Sequence, residues 1–280
     1  MTPRAPTGGA APASFAPLPA AEADRLIAIA QAAADLAGGI IRPHFRASLA
    51  VDDKTDDSPV TIADRGAEQA MRALLTERCP EDGVLGEEFG LERAHARRRW
   101  VLDPIDGTRA FITGRPVFGT LIGLLEGDTP ILGLIDQPIT GERWIGIAGQ
   151  PTRFRAPFGG RPGTRACATL EQAELSCTSP DMFRPEDRPR FNALAAAARR
   201  VSWGGDCYAY GLLALGQIDV IAEATLKPWD WAALVPVIEG AGGRMTDWSG
   251  QPLRVDGDGC ALAVGDPALL GPAVAALAAS

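Results

Sequence analysis

The stretch WVLDPIDGTRAF at 100–111 decides how this chain reads. Trp100 to Leu102 form a short apolar strand that delivers Asp103 at its end. Pro104 fixes its own φ and disfavours helix at Asp103, so the loop bends there. A bent loop converges the Asp103 and Asp106 carboxylates on one point and turns the Ile105 carbonyl inward as a further oxygen. Gly107 and Thr108 then open a helical turn through Ile112, and their backbone N–H groups suit an anion. Read alone, the same residues also describe a solvated acidic turn capped by Asp106. Two distant segments weigh against that reading. GEE at 86–88 ends a second short strand, Val84-Leu85, with Glu87, and KPWDWAA at 227–233 supplies Asp230. Mg²⁺ takes oxygen ligands of this kind, together with substrate phosphate and water. The combination points to metal-assisted phosphate chemistry.

The bulk properties narrow the classes. With 280 residues the chain can be one large domain or two smaller ones, and 46% hydrophobic content is enough for a sizeable core. Lysine and arginine number 27 against 35 acids, a net charge of −8, which argues against a generic nucleic-acid binder. An acidic protein that takes a phosphate needs local positive charge, and bound Mg²⁺ supplies it. The cysteines at 79, 167, 177, 207 and 260 are scattered and form no C-x-x-C pair, as in a reduced cytoplasmic chain without a zinc site. His44 and His95 are the two histidines and read as structural or solvent-facing. Residues 1–20 lack an apolar signal core and read as a disordered tail. No run of about 18 apolar residues suggests a membrane span.

Periodicity supplies the rest of the framework. Leu26, Ile29, Ala33, Leu36 and Ile40 place an amphipathic helix from Ala21 to about Phe45. The polar segment DDKTDDSPVT at 52–61 carries a turn signal, and Asp64 opens a second helix through Leu75. Residues 117–125 and 130–136 form a hairpin that Ile145–Ala148 extends. The Gly-, Pro- and Arg-rich stretch 150–165 is the best boundary between an N-terminal α+β part (21–150) and a C-terminal α/β part (151–280). The latter has strands at 174–178, 200–203, 218–223, 244–247 and 260–264, with helices at 186–199, 206–215, 230–241 and 267–278.

GEE, DPIDGTxxF and WDxAAxxxxxxxAGG, in this order and at these separations, resemble the inositol monophosphatase superfamily of Mg²⁺-dependent phosphatases, over about 22–278. The resemblance implies a layered αβαβα sandwich, a homodimer and two or three Mg²⁺ ions. It implies metal ligands at Glu87, Asp103, the Ile105 carbonyl, Asp106 and Asp230, and phosphate contacts at Gly107 and Thr108. It also implies that Asp64, in SPVTIAD, pairs with Thr108 to orient the attacking water. Glu88 reads as a solvated neighbour of the ligands. Lys54 and Asp57 fall in a segment resembling the family's mobile flap, with an optional metal-linked contact. Acids spaced D-x-x-D disfavour the aspartyl-phosphate mechanism of D-x-D-x-T enzymes.

Substrate choice rests on groups around the leaving alcohol. The resemblance places Glu223, seven residues before Asp230, and Asp206, in GGDCYAY at 204–210, near that pocket. The bland alternatives are a strand-end surface acid for Glu223 and a helix N-cap for Asp206. Two acids there favour a cationic substrate. DGTRAFITG, GTLIGLL, IDQPITGERW, GGDCYAYGLLALG and LKPWDWAALVPV together resemble the histidinol-phosphate phosphatase branch, and Arg109 departs from the small polar residue of many inositol phosphatases. The expected activity is hydrolysis of a small phosphorylated metabolite, with a same-fold sugar, inositol or nucleotide 3′-phosphatase, or a non-catalytic metal- or phosphate-binding protein, as alternatives.

Overall fold

The computed structural model describes residues 18–47 and 59–279. The expectations for the tail before Leu18 and for Lys54 and Asp57 lie outside the described residues. Helix α1 (Ala20–Ile41) ends in a 3-10 turn over Arg42–His44, and α2 (Pro59–Arg78) begins with a proline. Proline suits the first helical turn, where its missing N–H is not needed. Asp64 therefore sits inside α2 and does not open it, which corrects the sequence reading.

A seven-stranded sheet follows, in the order β2-β1-β3-β4-β5-β6-β7. Its strands are β1 (Gly83–Gly86), β2 (Gly90–Glu92), β3 (Arg98–Asp106), β4 (Gly119–Glu126), β5 (Thr129–Gln137), β6 (Glu142–Ile147) and β7 (Arg153–Arg155), with the short α3 (Thr108–Ile112) after β3. β7 lies within the stretch read as a boundary and belongs to this first sheet. The second sheet runs β11-β12-β10-β8-β9. It comprises β8 (Glu174–Cys177), β9 (Arg200–Trp203), β10 (Val220–Glu223), β11 (Arg244–Thr246) and β12 (Ala261–Val264).

Five layers result. α1 and α2 cover one face of the first sheet, around a core that includes Leu26, Met71, Trp100 and Ile122. α1 is long and apolar enough to cross a membrane by composition, but its apolar face is buried in this core. Between the sheets lie α5 (Asp206–Leu213), α6 (Pro228–Trp231) and α7 (Leu234–Gly240), with Trp144, Tyr210 and Trp231 at the centre. The outer face of the second sheet carries α4 (Asp187–Ala197) and α8 (Leu270–Ala278), the latter preceded by a 3-10 turn over Pro267–Leu269. This is an αβαβα sandwich, as expected.

The single helix expected over 230–241 is broken between α6 and α7. Pro236 explains the break, because its ring clashes with the carbonyl four residues earlier, at Ala232. The broken segment lies directly on the first sheet. Gly123, Gly133 and Gly146 pair across β4, β5 and β6, forming a bare stripe. A Cβ on Gly133 would strike the Ala233 carbonyl, one on Gly146 would strike Pro236, and one on Gly123 would come within 3.1 Å of Ala232.

Candidate active site

β1 and β3 run parallel, with Gly86 opposite Leu102, so both deliver an acid at the same edge. Glu87 follows β1, and Asp103 lies where β3 leaves its register with β4. β3 does not end at Asp103, as the sequence suggests, but runs on to Asp106 through an irregularity over 103–106, because Asp106 pairs again with Gly119. Three bonds shape that irregular segment. The Thr120 hydroxyl donates to the Pro104 carbonyl at 2.7 Å, the Ile105 N–H donates to Asp103 Oδ1 at 3.0 Å, and the Cys207 N–H donates to Asp106 Oδ2 at 2.7 Å. Asp230 arrives from α6, where its Oδ2 accepts the Lys227 N–H at 2.7 Å. Asp103, Asp106 and Asp230 each offer an oxygen within 4.8 Å of the others. Glu87 stands outside that trio, at the exposed edge, within hydrogen-bonding reach of Asp103.

The electrostatics fit a cation site. Burial first, then the charges of Asp106, Glu87, Asp230 and Asp64, hold the Asp103 carboxyl well above the usual range. Asp106 is raised likewise by burial, then by Asp230 and Asp206. Burial and the opposing Glu87 charge push Asp230 up to about 7, against the Lys227 N–H bond. Asp64 is pushed to about 8 by burial, then by Glu87, Glu88 and Glu68, and its buried Oδ1 has no hydrogen-bond partner. Crowded carboxyl and carbonyl oxygens, one of them orphaned, suit a hard divalent cation such as Mg²⁺.

Gly107 has φ of 88° and is the N-cap residue of α3, with no side-chain cap, so Asp106 does not cap the turn. A Cβ on Gly107 would lie 2.8 Å from that of Asp206, so the position needs glycine for space as well as for its backbone. The Thr108 hydroxyl donates to the Ile105 carbonyl at 3.3 Å, not to Asp64. In the first turn of a helix a threonine hydroxyl readily reaches the carbonyl three residues back.

A pocket of about 120 Å³ opens beside the trio, lined by Asp106, Asp206, Glu223, Asp230 and Tyr210 among others. Glu223 is buried, which removes its reading as a surface acid. Its Oε1 accepts the Thr178 N–H at 2.7 Å and its Oε2 the Tyr210 hydroxyl at 2.8 Å. Asp206 is not an N-cap. It is the first residue of α5, at φ of 45°, and burial followed by the Glu223 charge pushes its carboxyl to about 6. An adjoining pocket of about 380 Å³ is lined by Gly107, Thr108, Arg109, Arg115 and Asp206, with Thr178 at its edge. His44 and His95 line neither pocket.

Sequence reading missed Tyr210, Thr178 and the Cys207 N–H, all brought in by the second half of the chain. It also missed Glu68, although Glu68 lies four residues after Asp64 and shares its helix face.

Residues 22–278 match the profile of the inositol monophosphatase family. The chain is 50% identical over 232 residues to the bifunctional phosphatase IMPL2, chloroplastic, of Arabidopsis thaliana, covering 82% of this chain and 66% of that protein. It is 41% identical over 227 residues to a histidinol-phosphatase of Mycobacterium tuberculosis, covering 79% of this chain and 87% of that protein. An inositol monophosphatase structure from Zymomonas mobilis superposes with a TM-score of 0.85 at 51% identity, over 93% of this chain and 99% of that one. The chain thus belongs to the inositol monophosphatase family and is a phosphoric monoester hydrolase.

Proposed function

We propose that this hydrolase acts on histidinol phosphate, whose alcohol carries an ammonium and an imidazole. The observation that carries the reading is the acid-lined pocket. Beside the proposed metal ligands Asp106 and Asp230, Asp206 and Glu223 face one small space, which among the described residues no lysine, arginine or histidine lines. Such a pocket favours a cationic leaving group, from which an uncharged polyol gains little. The histidinol-phosphatase of Mycobacterium tuberculosis supports the same reading.

Glu87, Asp103, the Ile105 carbonyl, Asp106 and Asp230 would hold two or three Mg²⁺ ions. When bound, Mg²⁺ lowers the pKa of water, polarises the phosphoryl group and neutralises the leaving oxygen. The protein's own groups do the rest. The Gly107 and Thr108 N–H groups donate to phosphate oxygens. Arg109, on the rim with Arg115, draws the dianion toward an otherwise acidic surface. Asp64 and the Thr108 hydroxyl orient the water whose oxygen attacks phosphorus as the bond to the alcohol oxygen breaks. One water proton ends on the alcohol and the other on phosphate. Asp206 and Glu223 meet the cationic end, with Glu223 fixed by Thr178 and Tyr210. The working form is proposed to be a cytoplasmic homodimer, which sedimentation would test.

The test is kcat/KM on histidinol phosphate, inositol phosphate and a nucleotide 3′-phosphate, with and without Mg²⁺. A clear preference for histidinol phosphate is expected. A preference for inositol phosphate would favour the second reading, which the 51% identity to the Zymomonas mobilis inositol monophosphatase keeps in play.

A further inference from the structure

A loop acid must be aimed, and Glu87 lies in a tight one. β1 and β2 pair antiparallel from Gly86 and Gly90, so Glu87, Glu88 and Phe89 alone reverse the chain. Among the described residues, the first sheet holds this turn by one long bond, from the Glu87 N–H to the Leu102 carbonyl at 3.3 Å. The remaining grip comes from α2. Glu68 is fully buried. Its Oε2 accepts the Glu88 N–H at 2.8 Å and its Oε1 the Phe89 N–H at 3.2 Å. Gly86 leaves the room for this, since a Cβ there would land on the Glu68 carboxylate. Arg72, one helical turn further on, sits 2.7 Å from Glu68 Oε1 and is itself buried. Its other nitrogens donate to Glu92 Oε1 at 3.0 Å and to the Gly90 carbonyl at 2.5 Å. One buried ion pair thus holds two N–H groups of the turn and the strand that leaves it.

We propose that Glu68 and Arg72 are positioning residues that aim Glu87 at the metal cluster and thereby set Mg²⁺ affinity. This rests on the metal-dependent reading above. A buried carboxylate is costly unless all its partners are in place. Alternative geometries of the turn would strip Glu68 of two donors, so the pair excludes them. Arg72 pairs with Glu68, but the Glu68 charge still reaches Asp64 and Glu87, so Arg72→Lys, which leaves that charge in place, separates aiming from charge. A purely structural ion pair would stabilise the fold without touching metal affinity, and the two roles separate in experiment.

The experiment titrates Mg²⁺ into metal-free wild-type and Glu68→Gln protein, read by calorimetry and thermal shift without substrate, and by turnover. The amide keeps the shape but puts an NH₂ where an acceptor stood, so one turn N–H loses its partner. The Mg²⁺ midpoint is expected to rise about tenfold or more, in line with outer-shell substitutions at metal sites. Excess Mg²⁺ should restore turnover, with KM for the phosphate ester unchanged. A lowered Tm with an unchanged Mg²⁺ midpoint would overturn the proposal. Should Glu68→Gln fail to fold, Arg72→Lys keeps the charge and loses the fork to Gly90 and Glu92. A folded Arg72→Lys protein with a raised midpoint supports the proposal, and one with the wild-type midpoint overturns it. Absence of any Mg²⁺ response in wild type would sink the metal reading and this proposal together. A wild-type response with unaltered variants sinks only the proposal.

Discussion

Two sets of carboxylates in this molecule, one buried and one buried at Asp103 and half-buried at Asp106 and Asp230, differ in what surrounds them. Asp136, Asp187 and Asp219 are 4%, 2% and 0% exposed, as deeply placed as Asp103 at 2%. Each of the first three has an arginine, with Arg143 at 2.6 Å from Asp136, Arg184 at 2.5 Å from Asp187 and Arg165 at 2.5 Å from Asp219. Among the described residues no salt bridge reaches Asp103, Asp106 or Asp230, whose nearest charged neighbours include one another. The first set is electrically closed by the chain itself. The second is open, and its balance must come from outside. Closed acids hold the fold, and open ones mark where the fold is given over to chemistry.

Four perturbations would break or sharpen that contrast. Removing a charge from the open set should cost function and spare the fold. Asp103→Asn is expected to lower kcat by about 10³-fold or more, roughly 4 kcal/mol of barrier, with an unchanged or higher Tm for the metal-free protein. Near-wild-type turnover would take Asp103 out of the reaction. Removing the cation from a closed pair should do the reverse. Arg143→Leu strands Asp136 inside the protein and is expected to cost about 3–5 kcal/mol in urea unfolding, with little change in the activity of the folded fraction. A loss under about 1 kcal/mol would mean that water or a shifted neighbour replaces the arginine.

Glu223 falls between the two sets, buried but satisfied by neutral donors. Glu223→Gln should lower kcat/KM for histidinol phosphate about 10- to 150-fold, the value of a charge-assisted bond of roughly 1.5–3 kcal/mol. A phosphate of a small uncharged alcohol should be much less affected. Equal losses on both substrates would assign Glu223 to the shared phosphate site instead. The gentlest test changes only pH. Asp64 and Asp230 are raised from 3.8 to about 8 and about 7 in the folded, metal-free protein. Raised acids contribute stability that is complete below about pH 4 and lost as pH climbs through 7 and 8. The metal-free protein should weaken over that range, by on the order of 1 kcal/mol per pH unit for each group titrating. Mg²⁺ should then raise Tm more at pH 8 than at pH 5. A metal-free protein equally stable at both pH values would contradict the open character of the set.

The motif acids were legible because each sits at a strand end or a bend that short-range rules describe. The apolar run of β1 stops just before Glu87, Pro104 lies where β3 loses its register after Asp103, and Pro228 starts the turn that carries Asp230. What stayed hidden depends on partners far along the chain. Glu68 and Arg72, four apart on a helix, look like any surface ion pair until Gly86 and the 87–89 turn close over them. The resemblance pairs Thr108 with Asp64, while its bond to Ile105 follows from the local helical turn. The three-residue strands β2 and β7 gain their identity from the neighbours they pair with, since three residues carry too little periodicity to announce themselves.

The bare glycine stripe has a consequence for how exactly the two halves of the cluster can be spaced. From Asp103 the connection passes through the β3–β4 ladder, where Val101 faces Gly123, and from Gly123 to Ala232, two residues after Asp230. Along that route main chain meets main chain, and no rotatable side chain intervenes. The gap between acids 127 positions apart in sequence is thereby gauged by peptide planes, the stiffest parts a protein has. Thermal rattling of rotamers, which blurs most long-range distances, enters only at the two carboxylates themselves and not along the backbone that spaces them. The measure of the cluster is built into the skeleton of the molecule.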